Sequence, residues 1–205
     1  MDGTVWISLW LMLVVCYGSS IASTHERCHM TGDTTNKVCI QGSHLVTELE
    51  RYVNKELHTS YKYTHMSQYY ERADKAYQGF AKLFKTQAQR AKENAHELME
   101  YFNKRGVTLN LLTVKEPKVT NYESLSYSVR QVITHERFLN DALLKLHKDA
   151  DEEPHLQYFI EEKYLDQKVD IIKKMADLKT NLDRLQGDHV GEHMIDRRLA
   201  GDTWF

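Results

Sequence analysis

Apolar side chains recur every three or four residues over almost the whole chain after residue 42. This spacing is typical of amphipathic helices, and no segment shows the strict alternation that predicts a strand. The pattern predicts four long helices, over about 43–73, 75–105, 122–148 and 154–186, and a short fifth helix over about 192–199. Ser43 suits a helix N-cap, Pro154 suits a first helical turn, and Gly106 and Gly187 suit helix ends.

The connection between the second and third predicted helices is long. Residues 106–122 have no helical period and contain Pro117, so we expect a crossover rather than a tight turn. Helices of roughly thirty residues are each about 45 Å long. Four such helices, one long crossover and a short fifth helix predict an all-α fold, a four-helix bundle.

The first 22 residues have the character of a secretory signal peptide. Their apolar run, residues 5–17, is too short to span a bilayer, and the small residues Ser20 and Ala22 suit a cleavage site after Ala22. The segment before the run carries Asp2 and no basic residue, which leaves an uncleaved N-terminal anchor as the alternative. We therefore expect a protein of the secretory pathway, either secreted or held in the lumen of a secretory compartment.

Loss of the leader leaves two cysteines in the mature chain. Cys28 and Cys39 lie in the extension, residues 23–42, ahead of the first helix. An even number of cysteines in an oxidising compartment predicts disulfides. The sequence alone allows either one bridge within the chain or bridges between chains.

Charge argues against two classes of partner. The chain has 27 basic and 29 acidic residues, a formal charge of −2, and loss of Asp2 with the leader changes this to −1. It contains no polybasic run and no interleaving of basic and aromatic residues. We therefore expect neither nucleic acid nor, after signal cleavage, a membrane as partner.

A Glu-x-x-His pair, Glu93 and His96, lies within the second predicted helix. This spacing occurs among the ligands of carboxylate-bridged di-iron bundles, so it raises the question of an iron site. Ala91 lies on the apolar stripe of the same helix. Relative to Ala91, Glu93 lies about 200° and His96 about 140° around the helix, because each residue advances the direction by about 100°. Neither side chain is expected to face the bundle core.

Two other carboxylates do lie on predicted core stripes, Glu56 on the first helix and Glu136 on the third. A buried carboxylate without a partner is costly, so each needs a cation or hydrogen-bond donors. Lys168, near the inner edge of the fourth helix, is the candidate cation for a salt bridge to Glu56 or Glu136. The alternative is that Lys168 extends to solvent and the two carboxyl groups bind each other through waters or protons.

Four segments of the chain resemble ferritin: NKELHTSYKYTHMSQYYERADKAYQGFAKLF (54–84), AHELMEYFNKRG (95–106), LLKLHKDADEEPHLQYFIEEKYLDQKVDIIKK (143–174) and GEHMIDRRLAG (191–201). The resemblance implies a ferritin-like domain over 43–205, with iron carried as ferrous ion and stored as a ferric mineral. The leader and the extension resemble those of the secreted ferritins of insects and related arthropods. Those proteins combine heavy-type and light-type subunits in one 24-subunit shell, and by this resemblance Cys28 and Cys39 link or brace subunits.

The resemblance also carries the ferroxidase ligand positions of a heavy chain onto this sequence. Glu56, Glu136 and the associated tyrosine, Tyr63, match, whereas Ala91 replaces a bridging Glu, Asn94 replaces a His, and Lys168 replaces a Gln. Two carboxylates cannot hold two irons when the bridge and the imidazole are missing. The resemblance thus implies a non-catalytic, light-type subunit that assembles with heavy-type subunits.

Two further interpretations stay open at the level of sequence. One is a ferroxidase whose site is rebuilt from Glu56, Glu136, Glu93 and His96, which requires a register change that the apolar stripe of the second helix opposes. The other is a monomeric four-helix signalling or carrier protein, which also explains a secretion signal.

The resemblance places two more groups of residues on the path of iron. On the face of the second helix that lines the cavity in light chains, Glu93 is acidic among mainly basic and polar residues, so nucleation of mineral there is not expected. His147 and Glu161 fall at the three-fold iron channel, where Tyr158 stands in place of an Asp. A ring of Glu161 side chains would attract Fe²⁺ with a weaker field. The alternative for Glu161 is a solvated surface acid.

Overall fold

Helices make up almost all of the structure, a computed structural model that describes residues 39–40, 42–118 and 121–201. The elements are α1 (Ser43–Glu71), α2 (Gln78–Lys104), α3 (Leu125–Asp149), α4 (Pro154–Ile160), a π-helical turn (Glu161–Leu165), α5 (Asp166–Leu185) and α6 (His189–Gly201). The predicted all-α fold with a short C-terminal helix is confirmed. Within the described residues no helix combines the length and apolarity needed to cross a bilayer. The predicted signal peptide lies outside the described residues.

Three helices begin at residues other than those the apolar pattern predicts. α3 begins at Leu125 rather than near residue 122, where the Ser124 side chain caps it by accepting a hydrogen bond of 3.0 Å from the Tyr127 amide. α2 begins at Gln78 rather than near residue 75, because Ala76 adopts a left-handed backbone conformation, with φ of 54°, that interrupts the helical path. α6 begins at His189 rather than near residue 192. There the Asp188 side chain accepts a hydrogen bond of 3.1 Å from the Val190 amide, which satisfies one of the unpaired amides of a first turn.

The fourth rod of the bundle, α4 to α5, stays continuous through its π-helical turn. The backbone is right-handed helical at Ile160, Glu161, Leu165 and Asp166, on both sides of the junctions. Four buried side chains of this rod recur at every fourth residue: Leu156, Ile160, Tyr164 and Lys168. In an α-helix each four-residue step drifts by about 40°, and a π turn takes up such drift because it is wider. The turn therefore keeps Lys168 on the same inner face as Tyr164.

The first and third helices run antiparallel and contact each other along their length. Thr59 Oγ1 lies 2.7 Å from His135 Nε2, and Tyr70 Oη lies 2.6 Å from Ser128 Oγ, so the α3 number falls as the α1 number rises. The long crossover between α2 and α3 lies against α1. Asn54 Nδ2 donates hydrogen bonds to the carbonyl oxygens at 112 (3.1 Å) and 113 (3.2 Å), which hold the crossover in place.

A polar layer divides the buried core into two apolar clusters. One cluster includes Leu49, Leu98, Phe102, Leu139 and Leu143. The other includes Met66, Phe84, Val132, Ile171 and Met175. Each fully buried side chain of this size contributes about 1.5–3 kcal/mol. The buried residues between the clusters are polar or charged, among them Glu56, Thr59, Asn94, Glu136 and Lys168. Since buried polar groups are tolerated only when paired, this layer is where a functional site would be built.

The last helix packs on the start of α2 at very close range. A Cβ atom added to Gly79 would lie 1.9 Å from the carbonyl oxygen of Asp196, so glycine is required for this approach. The buried Asp196 carboxylate accepts a hydrogen bond of 3.0 Å from the Phe80 amide, and Lys82 Nζ donates one of 2.8 Å to the carbonyl oxygen of Ala200. α6 thus provides the cap that α2 lacks in its own sequence.

Candidate functional site

One lysine and two glutamates form the centre of the polar layer. Lys168 Nζ, from α5, lies 2.9 Å from Glu56 Oε1 on α1 and 2.9 Å from Glu136 Oε2 on α3. The side chains are almost completely buried, with 2%, 0% and 2% of their surfaces exposed, respectively. The sequence left open whether Lys168 pairs with one carboxylate or reaches solvent. In the structure it lies between both.

Two tyrosines donate further hydrogen bonds to the carboxylates of this centre. Tyr52 Oη donates to Glu56 Oε1 at 2.7 Å, and Tyr63 Oη donates to Glu136 Oε1 at 2.6 Å. Burial, and then the neighbouring carboxylates, hold the pKa of both phenols well above the ordinary value, so both stay protonated and donate. Glu56 Oε2 has no hydrogen-bond partner within the described part of the chain.

The electrostatics keep Lys168 charged despite its position. Burial alone lowers the pKa of a lysine, but the fields of Glu56 and Glu136 and the hydrogen bonds to them outweigh burial and raise the pKa of Lys168. Two more cations lie at the edge of the centre. Burial lowers the pKa of Lys62 and of Arg90, and the field of Glu136 opposes that lowering in both. Three protein cations, Lys168, Lys62 and Arg90, therefore interact with the charge of Glu136.

The second helix adds no carboxylate or imidazole to the centre. Ala91 is buried and contributes a methyl group. The buried amide of Asn94 donates to Gln167 Oε1 at 2.8 Å and accepts from Gln167 Nε2 at 3.3 Å, so it is engaged away from the glutamates. Within the described residues, no group of three or more His, Cys, Asp or Glu is arranged to hold a metal ion. The donor set of the polar layer therefore does not fit a pair of metal ions in this geometry.

The Glu-x-x-His pair points away from this centre. Glu93 and His96 are both exposed, whereas Ala91 and Ala95 on the same helix are buried. The carboxylate of Glu93 accepts a hydrogen bond of 2.8 Å from Gln89 Nε2. The face assignment made from helical geometry thus agrees with the structure.

The two residues assigned by resemblance to the iron channel contact each other. His147 Nε2, near the end of α3, lies 2.7 Å from Glu161 Oε1 in the π-helical turn. Glu161 is exposed, as is Tyr158 one turn earlier. The pair is therefore available at the surface of the subunit, next to the junction of α3 and α4.

Cys39 forms a disulfide in the structure and is buried. Its sulfur lies 3.9 Å from the carbonyl oxygen of Gly106, which places the end of the extension against the start of the crossover. Both other cysteines of the chain, Cys16 and Cys28, lie outside the described residues. The disulfide of Cys28 therefore stays a prediction, with a bridge within the chain and bridges between chains both open.

Tyr52 and His135 belong to the polar layer or its edge, and analysis of the sequence did not single them out. Tyr52 precedes Glu56 by four residues, a spacing that places two side chains together on one helix face, and this signal could have found it. His135 binds Thr59 across two helices, a contact that no local spacing reports.

His135 makes the protein sensitive to mild acid. Burial, together with Lys62, His58 and Lys168, lowers the pKa of His135 to about 3. The unfolded chain takes up a proton at this residue as the pH falls below about 6.5, while the folded chain does not, so stability is lost as the pH falls from about 6.5 toward 3.

Replacing His135 with asparagine should therefore reduce the loss of unfolding free energy as the pH falls. Between pH 7 and pH 5 we expect the wild type to lose up to about 2 kcal/mol more than His135→Asn, as measured by urea denaturation at each pH. His96→Asn is the matched control, since the His96 side chain is exposed on α2. Parallel pH profiles of the wild type and His135→Asn would contradict the expectation.

A comparison with known protein families identifies the family to which this bundle belongs. The family model described as the ferritin-like domain matches residues 46–185, about two thirds of the chain. This range runs from the first turn of α1 to the end of α5 and contains the whole polar layer. It ends before α6. Members of the ferritin family bind iron and assemble into multi-subunit shells that store it. With its bundle, its long crossover and a family match over most of its length, the chain belongs to the ferritin family.

Proposed function

We propose that this chain is the non-catalytic, light-type subunit of a ferritin shell and depends on heavy-type subunits for the oxidation of Fe²⁺. The observation that carries the proposal is the Lys168 ammonium group, 2.9 Å from each of the two carboxylates that would otherwise bind iron. A fixed cation at this point repels Fe²⁺ and occupies one oxygen of each carboxylate that would be its ligand.

The geometry of the second helix supports the same conclusion. A di-iron centre needs a bridging carboxylate and an imidazole. The positions to which the resemblance assigns these groups hold Ala91 and Asn94, and Asn94 is already paired with Gln167. Lys62 and Arg90 add further positive charge near Glu136. Iron that reached this layer would meet two carboxylates already neutralised by protein cations.

A ferroxidase rebuilt from Glu93 and His96 receives no support from the geometry. Both side chains are exposed, and turning them inward would carry the buried Ala91 and Ala95 out to solvent. That rotation would also break the apolar face of α2 that packs in the core.

Assembly is the second part of the proposed function. We propose that the chain co-assembles with heavy-type subunits in a 24-subunit shell, in the secretory pathway or outside the cell, after removal of residues 1–22. The ferritin resemblance of the leader and of the extension with Cys28 and Cys39 supports this compartment. The disulfide at Cys39 suits an oxidising lumen.

Iron handling by this subunit would then be limited to transit and storage. Glu161, exposed and in contact with His147, would contribute its carboxylate to a three-fold channel for Fe²⁺. Glu93, exposed on α2, would offer one carboxylate toward the stored mineral. The heavy-type partner would supply the oxidation step.

Stopped-flow measurement of Fe²⁺ oxidation tests the division of labour. Iron-free assemblies of this chain alone should oxidise Fe²⁺ no faster than buffer, and mixed assemblies with a heavy-type subunit should oxidise it rapidly and retain soluble ferric iron. Light scattering of the same samples reports the assembled mass. Rapid oxidation by the homo-oligomer would refute the non-catalytic role, and a monomeric mass under all conditions would refute shell assembly.

A further inference from the structure

A polar pocket on the α1–α3 side of the subunit is separate from the buried centre. Its lining residues are Asn54, Lys55 and His58 from α1, Thr113 and Lys115 from the crossover, and His135 and Phe138 from α3. We call it the Lys55–Lys115 pocket. Its volume, about 430 Å³, lies in the range of small-molecule sites.

The charged side chains that line this pocket are positive. No aspartate or glutamate is among its lining residues. Within the described part of the chain, neither Lys55 nor Lys115 forms an ion pair, although exposed lysines elsewhere, such as Lys173 and Lys179, do. Lys62 is close enough to lower the pKa of both His58 and His135, so it adds to the positive field. Burial lowers the pKa of Lys55, and the field of Glu48, which lines the neighbouring pocket, opposes that lowering. Since no ion pair to Glu48 occurs among the described residues, the Lys55 ammonium group keeps hydrogen-bond donors for an anion.

The tautomer of His135 leaves a hydrogen-bond acceptor on one of the rings that line the pocket. Thr59 Oγ1 donates its only hydrogen to the carbonyl oxygen of Lys55 at 2.7 Å. Thr59 Oγ1 must then accept from His135 Nε2, 2.7 Å away, so Nε2 carries the imidazole proton. Nδ1 is left with a lone pair. No protein donor within the described residues occupies Nδ1.

Aromatic surface completes the pocket. Phe138 is 53% exposed, and Lys55 Nζ lies 6.0 Å from the centre of its ring. The rings of His58 and His135 are 6.2 Å apart and tilted by 54°. A flat ring can contact these faces, as aromatic groups do at 4.5–7 Å between centroids. A metal ion is a poor fit, because the lysines repel it and no carboxylate offsets their charge.

We propose that the Lys55–Lys115 pocket binds a small aromatic molecule that carries a phosphate or carboxylate group and has an amino or hydroxyl donor on its ring. The anionic group pairs with Lys55 and Lys115, the ring contacts Phe138, and the donor binds His135 Nδ1. A nucleoside monophosphate has these three features. The proposal does not depend on the storage or oxidation of iron.

Calorimetric titration of the iron-free assembled protein with adenosine monophosphate tests the proposal. We expect saturable binding of one molecule per chain with a Kd on the order of 0.1 mM at low ionic strength, weakening as salt is added. Inorganic phosphate and adenosine are the two halves of this probe. Each should bind at least about tenfold more weakly than adenosine monophosphate.

Single substitutions test which pocket residue binds which part of adenosine monophosphate. Lys55→Gln and Lys115→Gln should each weaken adenosine monophosphate about five- to tenfold. His135→Phe keeps the ring but removes the acceptor, so it should weaken adenosine monophosphate and leave phosphate binding unchanged. Lys104→Gln is the matched control, because Lys104 lines a separate pocket of about 420 Å³ that also contains a second lysine and aromatic side chains.

Three results would overturn the proposal. The first is no saturable binding of adenosine monophosphate up to about 10 mM, which corresponds to a negligible affinity. The second is an equal loss of affinity in Lys104→Gln, which would indicate general attraction to a positive surface. The third is phosphate binding as tightly as adenosine monophosphate, which would remove the role of the ring.

Discussion

Lys168→Met is expected to lower the free energy of unfolding by about 3–5 kcal/mol, the cost of leaving buried charge without its partner. In the wild type one ammonium group lies 2.9 Å from both Glu56 and Glu136. Methionine preserves much of the side-chain volume, so the loss would come from charge rather than from a cavity. A lower urea midpoint of the assembled protein at neutral pH is the measurement.

Two companion variants separate charge from packing. Lys173→Met, on an exposed ion pair of the same helix, should change stability by less than about 0.5 kcal/mol. Adding Glu56→Gln and Glu136→Gln to Lys168→Met should recover much of the loss, because the triple variant has no unpaired buried charge. An unchanged midpoint in Lys168→Met would show that the centre does not depend on its lysine.

The variant Ala91→Glu, Asn94→His and Lys168→Gln is expected to oxidise Fe²⁺ at a rate at least about ten- to a hundredfold above the parent, the range in which a metal-orienting group changes activity. These three changes install the bridge, the imidazole and the amide that the ferritin resemblance assigns to a heavy chain. Glu56, Glu136 and Tyr63 already occupy buried positions around the centre. Stopped-flow oxidation by the homo-oligomer is the measurement.

Single changes should not produce this activity. Lys168→Gln alone removes the blocking charge but leaves Ala91 and Asn94 in the ligand positions, so its rate should stay at the parent level. Redox-inert Zn²⁺ gives a second measurement, since it should raise the thermal midpoint of the triple variant and not that of the parent. Oxidation by Lys168→Gln alone would contradict the proposed reason for the missing activity.

The helices themselves follow from the sequence. Apolar spacing of three and four residues, a proline at the start of α4 and glycines past helix ends predict the number of elements and most of their bounds. Some predicted helix starts are wrong because the backbone leaves the helical path for local reasons, as at Ala76 before α2. Others are wrong because a polar side chain outside the apolar pattern caps the helix, as Asp188 does for α6.

The candidate site could be predicted in part, because charged residues on an apolar stripe are conspicuous. Glu56 and Glu136 interrupt core stripes, and Lys168 lies near another, so a buried ion pair was a reasonable expectation. Which carboxylate the lysine contacts could not be read from helical wheels. That depends on the relative height and rotation of three helices, which sequence spacing within one helix does not define.

The π-helical turn shows why the rotation of the fourth rod required the structure. Leu156 and Lys168 are both buried, although an unbroken α-helix would drift by about 120° over the three four-residue steps between them. The turn at residues 161–165 takes up part of that drift. The tautomer of His135 is a similar case. It follows from Thr59, which is 76 residues away in the chain and already donates its hydrogen to Lys55.

The sequence by itself determined the helical elements, their buried faces and the types of charged residue that those faces carry, because periodicity and side-chain chemistry are local properties. The tertiary structure decided that Lys168 lies between both glutamates, that Asn94 is engaged by Gln167, and that Lys55, Lys115 and His135 surround one pocket. These are contacts between residues distant in the chain. Their geometry is set by how helices pack and rotate against one another, since a few ångströms decide whether a charge is paired.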